Sequence, residues 1–243
     1  MIIEEGKSNS SRFITAYNTI DQTLRAIYNF KRNMTFSDMI RRSVSLNSVI
    51  RRFEDKLIDY ARLRNAIIHN SNEDYAIAEP HDDVVAEMER IAQMVSCPPL
   101  VIDTVAKNVL TIKGEMSLKD VFIMFASTGF KNIPVYGNGE ILGIASPARL
   151  VEWVGTELKN NKDIDTFLEK TEVSQILYKT DAEVRYCVRS DRLTIQEALD
   201  IFYSNRKINS ILITRSGGTK EPIRGIITVA DIMDLNKIID DYD

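Results

Sequence analysis

The sequence predicts a two-domain α+β protein, in which an N-terminal all-α helical bundle precedes a tandem pair of α/β repeats related by pseudo-twofold symmetry. Residues 1–96 contain one glycine, Gly6, and one proline, Pro80, so little there favours strands or tight turns. Beyond the sequence CPP at 97–99, glycines and β-branched residues become frequent, and short apolar runs alternate with amphipathic stretches. This second part also repeats itself, which indicates two copies of one structural unit.

The composition excludes several classes of protein. The 243 residues are 44% hydrophobic and 27% charged, which is too apolar for a disordered chain. No apolar run approaches the ~18 residues of a membrane span, and the acidic, polar N-terminus is unlike a signal peptide, so we expect a cytoplasmic protein with no membrane partner. The two cysteines, Cys97 and Cys187, show no CxxC or CxxxH spacing, so no metal site is predicted.

Four helices are predicted in the helical domain, residues 1–97. They cover residues 8–30, 36–44, 48–68 and 81–95. The first follows serines that suit N-caps, the third opens after Ser45 or Asn47, and the last is entered through Pro80 with acidic residues in its first turn. Short connections between such helices imply antiparallel packing in a bundle.

The second part of the chain divides into two repeats. MSLKDVFIMF at 116–125 aligns with LTIQEALDIF at 193–202, and GIASPARL at 143–150 aligns with GIITVADI at 225–232. Each copy predicts the order strand, helix, strand, turn, strand, helix. We assign a linker to 98–103, the first repeat to 104–156, a connecting segment to 157–172 and the second repeat to 173–243. One copy alone is small for a stable core, which favours stacking of the two.

A candidate ligand site lies in the sequence GIITVAD at 225–231. A buried strand leads there into a helix with Thr228 as candidate N-cap and Asp231 in the first turn. Helix N-termini attract phosphate, and a carboxylate in that turn can accept hydrogen bonds from two ribose hydroxyl groups. The same residues also fit an ordinary N-cap with an acid favoured by the helix dipole, and no ligand at all.

Each copy resembles a cystathionine-β-synthase (CBS) motif, and the pair resembles a Bateman module, across residues 104–240. The resemblance implies clefts that bind adenosine-containing ligands, so we expect AMP, ADP, ATP or cyclic di-AMP as a regulatory ligand, without a metal. It also implies that the adenine base lies near Val188 and the strand edge at Ser210 and Ile211.

The first copy departs from this pattern. Ser146 can still cap the helix, but Arg149 replaces the acidic residue, so ribose recognition through a carboxylate is not available there. Two interpretations follow: the first cleft is vestigial, or Arg149 points at the polyphosphate of a ligand seated in the second cleft.

Arg64 breaks the apolar pattern of the third predicted helix. At 100° per residue it lies about 20° from Phe53, in the middle of the apolar stripe. Since an unpaired buried charge costs several kcal/mol, Arg64 must pair, for example with Asp59 or an acid of 73–89, or face a cleft. His69 lies about 140° from Arg64 on an ideal helix, so the two can converge only where the helix ends or where two chains contribute.

The segment RNAIIH at 64–69 resembles the R-x4-H motif of the HEPN (higher eukaryotes and prokaryotes nucleotide-binding) superfamily, whose four-helix layout fits residues 7–96. The resemblance implies a metal-independent, dimeric ribonuclease in which His69 moves protons, Arg64 stabilises charge on the phosphate and Asn65 orients it. Basic residues on the preceding helices would hold the RNA backbone: Arg41, Arg42, Arg51 and Arg52.

The two resemblances together predict an adenine-nucleotide sensor whose CBS pair controls a HEPN-type endoribonuclease, with RNA as a partner and a homodimer formed through both domains. In the alternative, the helical domain only dimerises or docks a partner protein, and the chain is a non-enzymatic sensor. Arg64 distinguishes the two, because a helix used only for dimerisation would gain from leucine or methionine at that position.

Overall fold

The computed structural model describes residues 8–69, 79–105, 109–160, 163–179 and 185–240, apart from the side chain of His69. The chain forms two compact units. The first contains Met1–Pro99, Thr194–Glu197 and Asn236–Asp243, and the second contains Leu100–Leu193 and Ala198–Leu235.

The N-terminal region is helical, as predicted. Its helices are α1 (Asn9–Tyr28), α2 (Phe36–Ser43), α3 (Ser48–Arg52), α4 (Glu54–His69) and α5 (Asp82–Ser96). The side chains of Ser8, Thr35 and Asn47 each accept a hydrogen bond from a backbone N–H in the first turn of α1, α2 and α3. These side-chain caps explain why the first three helices begin where they do.

The third predicted helix is interrupted at Phe53, so the prediction of one helix over 48–68 is wrong there. The Phe53 backbone leaves the helical region, with φ −113° and ψ 17°. Three consecutive residues of α3, 48–50, are buried, whereas α4 buries one stripe that includes Leu57 and Ala61. Val49, Phe53 and Leu57 are all buried and recur every four residues, so α3 and α4 continue one apolar side across the interruption.

Aromatic contacts and ion pairs join the helices of this unit. The ring of Tyr17 on α1 stacks on Phe36 of α2 at a centroid distance of 4.1 Å. Arg12 of α1 pairs with Glu89 of α5 at 2.7 Å. The core between these helices is apolar, with Ile20 fully buried.

The C-terminal part of the chain contains two copies of the predicted α/β repeat, each with a three-stranded sheet. The first has β1 (Ile112–Lys113), α6 (Leu118–Thr128), β2 (Ile133–Gly137), β3 (Glu140–Ala145) and α7 (Pro147–Lys159). The second has β4 (Tyr186–Ser190), α10 (Ile195–Ser204), β5 (Ser210–Thr214), β6 (Gly225–Thr228), a 3-10 turn (Val229–Asp231) and α11 (Ile232–Asp240). In each sheet the first strand is parallel to the second, and the second is antiparallel to the third. The predicted pair of α/β repeats is therefore confirmed.

Two further helices follow the first repeat, α8 (Ile164–Lys170) and α9 (Val173–Lys179). The buried residues Val173, Ile176 and Leu177 of α9 belong to the hydrophobic core of the first repeat. Residues 173–179, which the predicted boundary assigns to the second repeat, thus pack against the first.

The two repeats share a buried contact around Tyr136 of β2. Its hydroxyl donates to the carbonyl of Glu221 at 2.9 Å and accepts from the N–H of Ile223 at 2.8 Å. Burial raises the pKa of Tyr136, although the bond from Ile223 opposes this. Ile144 of β3 and Leu212 of β5 pack in one cluster beside it. These hydrogen bonds and apolar contacts join the first repeat to the second.

Candidate functional site

A cleft of about 480 Å³ opens beside the first repeat. This volume is within the range of small-molecule sites, ~300–1,000 Å³. Its lining comes from the residues before β2, from β3, from the first turns of α7, from α9, from the start of β4, and from the residues that precede β4 and β5. The lining residues are Lys131, Asn132, Leu142, Gly143, Ile144, Ser146, Pro147, Ala148, Arg149, Glu152, Leu177, Arg185, Tyr186 and Asn209.

One part of this lining is apolar. Leu142 and Ile144 come from β3, Leu177 comes from α9, and Tyr186 begins β4. Ile144 and Leu177 are buried, so they pack in the protein core as well as lining the cleft. An apolar surface with one aromatic ring can accept a flat heterocycle.

The polar part of the lining is mainly basic. Lys131, Arg149 and Arg185 contribute three positive charges, and Glu152 contributes one carboxylate. Arginine and lysine side chains that converge on one cleft favour an anionic ligand, and guanidinium groups match phosphate oxygens.

The start of α7 adds backbone donors to the cleft. Ser146 is the N-cap residue, but its hydroxyl makes no capping hydrogen bond, and Pro147 occupies the first turn. The first intrahelical bond runs from the Leu150 N–H to the Ser146 carbonyl at 3.1 Å. The preceding N–H groups have no partner within the helix, so they add to the positive potential.

The equivalent turn of the second repeat is closed by its own side chains. Asp231 accepts hydrogen bonds from the Thr228 N–H at 2.6 Å and from the Thr228 hydroxyl at 3.0 Å. The Thr228 hydroxyl in turn accepts from the N–H of Ala230 at 3.3 Å. This is a capping box, so the carboxylate predicted to bind ribose is already hydrogen-bonded within the protein.

The other predicted residues of the second repeat are mostly buried. Ser210 and Ile211 have no exposed surface, and the Ser210 hydroxyl donates to the Asn209 side chain at 3.2 Å. Val188 is half-buried and packs against the cluster between the repeats. Of the seven residues predicted to bind nucleotide, Ser146 and Arg149 line the cleft, whereas Val188, Ser210, Ile211, Thr228 and Asp231 do not.

Six polar or aromatic lining residues were missed from the sequence: Lys131, Asn132, Glu152, Arg185, Tyr186 and Asn209. One signal was available, because the repeat offset of 77 places Asn132 and Asn209 at equivalent positions, and both line the cleft. Arg185 and Tyr186 have no such signal, since they reach the first cleft from the second repeat.

The predicted catalytic residues lie on α4. Arg64 donates to the Asn65 side chain at 3.3 Å, and its guanidinium carbon lies 5.4 Å from the centroid of the Tyr17 ring. Within the described residues, the buried Arg64 Nε has no hydrogen-bond partner. Asp59, a predicted partner of Arg64, pairs instead with Arg62 at 2.8 Å. His69 is the last residue of α4, but its side chain lies outside the described part of the structure.

The basic residues predicted to hold RNA are on α2 and α3. Arg41, Arg42, Arg51 and Arg52 are all exposed. Arg41 lies 3.8 Å from Asp38, and the Arg51 Nε donates to the Val44 carbonyl at 3.1 Å.

The described residues contain neither a metal-binding cluster nor a membrane-spanning helix. No group of three or more histidine, cysteine, aspartate or glutamate side chains there could hold a metal ion. No helix in the described ranges combines the length and apolarity that crossing a membrane requires.

The family model of the CBS domain matches the chain twice, at residues 101–155 and 186–237. No curated protein matches the chain. Among solved structures, the CBS domain of a bacterial CNNM/CorC family Mg2+ transporter in complex with ATP is 18% identical, covers 62% of this chain and 96% of its own, and has a TM-score of 0.43. CBSX2 in complex with AMP is 15% identical, with 58% and 98% covered and a TM-score of 0.44. A CBS domain protein from Streptococcus pneumoniae TIGR4 is 16% identical, with 57% and 82% covered and a TM-score of 0.42.

The two matches coincide with the two copies of the repeat seen in the structure. Residues 101–155 contain β1 to β3 and α6, and residues 186–237 contain β4 to β6 and α10. The C-terminal part of this chain is therefore a tandem CBS domain pair.

Proposed function

We propose that the cleft of the first CBS copy binds an adenine nucleotide and that the pair is a regulatory sensor. The observation that carries this proposal is the composition of the cleft, where an apolar surface with Tyr186 lies beside Lys131, Arg149 and Arg185. A nucleotide needs both parts, because its base is flat and weakly polar and its phosphates are anionic.

Each part of the nucleotide has a matching part of the cleft. The base packs against Leu142, Leu177 and Tyr186, and the side-chain amides of Asn132 and Asn209 supply donors and acceptors for its edge. The 5′-phosphates contact Lys131 and Arg185, with the first turn of α7 nearby.

Thermal denaturation of the purified chain tests this proposal. AMP, ADP, ATP and cyclic di-AMP are each added at increasing concentration, with CDP as the control for the base. A ligand at 100 times its Kd adds about 2.7 kcal/mol to the free energy of unfolding, so at least one adenine nucleotide should raise Tm clearly above the value with CDP. No shift with any of the four would reject the sensor, and an equal shift with CDP would reject adenine recognition.

A second adenosine site at Thr228 and Asp231, with Val188, Ser210 and Ile211, stays a prediction. A ligand there has to compete with the hydrogen bonds between Thr228 and Asp231. A calorimetric stoichiometry of two nucleotides per chain, reduced to one by Asp231→Ala, would support it. A stoichiometry of one in both proteins would contradict it.

We also propose that the helical domain is a HEPN-type, metal-independent endoribonuclease that the CBS pair controls, acting as a homodimer. The position of Arg64 supports this, because its guanidinium lies next to Asn65 with a buried Nε that has no partner among the described residues. Arg64 would stabilise charge on the scissile phosphate, and His69 would transfer the proton of the attacking 2′-hydroxyl.

Cleavage of labelled RNA in the presence of EDTA tests the ribonuclease. We expect products with 2′,3′-cyclic phosphate ends, and loss of cleavage in His69→Ala and Arg64→Ala. His81→Ala and Arg62→Ala are the matched controls, because both side chains are exposed on the same domain. Cleavage that survives His69→Ala would remove this residue from the mechanism, and no cleavage by the wild type would favour the non-enzymatic alternative.

A further inference from the structure

The two CBS copies carry opposite charges at one equivalent position. Arg149 and Asp231 are related by the repeat offset of 82, and each is the third residue after the N-cap of its helical turn. The two copies therefore allow an acidic and a basic side chain to be compared at equivalent positions of the same fold.

The two side chains differ in what they do for the chain itself. Asp231 completes a capping box with Thr228. Arg149 cannot do so, since guanidinium has donors and no acceptor, and the Ser146 hydroxyl makes no capping bond. The first copy therefore lacks this capping box and instead has a cation in the wall of the cleft.

Resting on the proposed function, we propose that the first cleft takes an adenine nucleotide carrying a phosphate on the 2′ or 3′ oxygen of its ribose, in addition to the 5′-phosphate. A carboxylate in this turn can accept hydrogen bonds from ribose hydroxyl groups, whereas a guanidinium has donors only. In dinucleotide sites, similarly, an acidic residue hydrogen-bonds a free ribose hydroxyl group, and a nearby arginine accommodates a ribose phosphate.

The charge of the cleft suits two separate phosphates. Arg149 forms a bidentate contact with the ribose phosphate, which leaves Lys131 and Arg185 for the 5′-phosphate. Glu152 lies three residues after Arg149 and hence on the same side of α7, but the three cations outnumber it.

Calorimetric titration with isomeric ligands tests this inference. Adenosine 3′,5′-bisphosphate, adenosine 2′,5′-bisphosphate and ADP have the same number of phosphates, so they differ in position and not in phosphate count. We expect one bisphosphate to bind about 10-fold to 100-fold more tightly than ADP, since a hydrogen bond to a charged group contributes about 1.5–3 kcal/mol. Which isomer binds more tightly identifies the ribose oxygen.

The variant Arg149→Asp should remove this preference, so that ADP binds at least as tightly as both bisphosphates. It should also fold, because an acid in the first turn is favoured and can close a capping box with Ser146. ADP binding as tightly as both bisphosphates in the wild type, or a preference that survives in Arg149→Asp, would overturn the inference while leaving nucleotide binding intact. No binding of any adenine nucleotide would overturn the proposed function as well.

Discussion

At the scale of single residues, Arg64 is the clearest departure from the apolar pattern of its helix. It stands over the ring of Tyr17 while its Nε, within the described residues, lacks a hydrogen-bond partner. Burial raises the pKa of Tyr17 to about 12, and the charge of Arg64 opposes part of that rise. An unsatisfied buried donor lowers the free energy of unfolding. Such a loss of stability is expected at a residue that serves function, which agrees with the role proposed for Arg64.

Replacement of Arg64 by methionine should therefore stabilise the protein. Arg64→Met removes an unsatisfied buried donor and keeps an unbranched side chain, so we expect the free energy of unfolding to rise by about 1 kcal/mol. Urea denaturation measures this, with the exposed Arg62→Met as control, for which the change should stay within about 0.5 kcal/mol. A loss of stability of similar size in Arg64→Met would instead assign Arg64 a structural role.

Glu87 on α5 gives the helical domain a pH dependence. Burial alone would raise the pKa of its carboxyl group, but hydrogen bonds from Lys56 and Tyr60 outweigh burial, and the pKa is lowered from 4.5. Because the pKa is lower in the folded chain than in the unfolded chain, the contact stabilises the protein above about pH 4.5 and this contribution is lost as the pH falls through the lower value.

The variant Glu87→Gln should lose about 1 kcal/mol of stability at pH 7, because the charge that binds Lys56 is gone. The difference from the wild type should shrink below about pH 4.5, where the carboxylate begins to be protonated. Urea denaturation across this range measures it, with the exposed Glu115→Gln as control. A difference that stays constant with pH would show that the carboxylate charge does not stabilise this contact.

At the scale of elements, the sequence predicted helices and repeats well where neighbouring residues determine the structure. The start of α1 is set by the Ser8 side chain, which was visible as a serine ahead of an apolar period. The order of strands and helices in the repeats follows from the alignment of one copy with the other. The interruption at Phe53 was not predictable, because Val49, Phe53 and Leu57 recur every four residues and indicate one continuous apolar stripe.

The cleft was only partly predictable. Ser146 and Arg149 belong to a motif that can be read along the chain. Arg185 and Tyr186 enter the first cleft from the second repeat, and Leu177 enters from α9. Such contacts are set by tertiary packing, and no local pattern reports them.

Close packing of β6 against the start of the CBS pair gives a test at this scale. A Cβ atom on Gly225 would overlap the side chain of Val105. We expect Gly225→Ala to destabilise the protein by about 1–3 kcal/mol, because the backbone or Val105 must move. The double variant Gly225→Ala with Val105→Ala should recover part of that loss in a double-mutant cycle measured by urea denaturation. Purely additive effects would show that the two sites do not touch.

At the scale of the whole molecule, the proposed sensor and the proposed ribonuclease must be thermodynamically linked if one controls the other through binding. Linkage is reciprocal, so RNA should change nucleotide affinity by the same factor by which nucleotide changes RNA affinity, typically about 5-fold to 150-fold. His69→Ala protein, which should bind RNA without cutting it, allows the nucleotide Kd to be measured with and without saturating RNA. Equal values would leave the two domains as independent modules.

A pair of variants tests most directly whether the cleft of the first CBS copy binds the phosphates of an adenine nucleotide, as proposed. Arg185 and Arg192 flank the two ends of β4, and Arg185 lines the cleft whereas Arg192 does not. Calorimetric titration with ADP should give the same Kd for the wild type and Arg192→Ala, and a Kd about tenfold or more weaker for Arg185→Ala. One Kd for all three proteins, or no binding to the wild type, would contradict the claim.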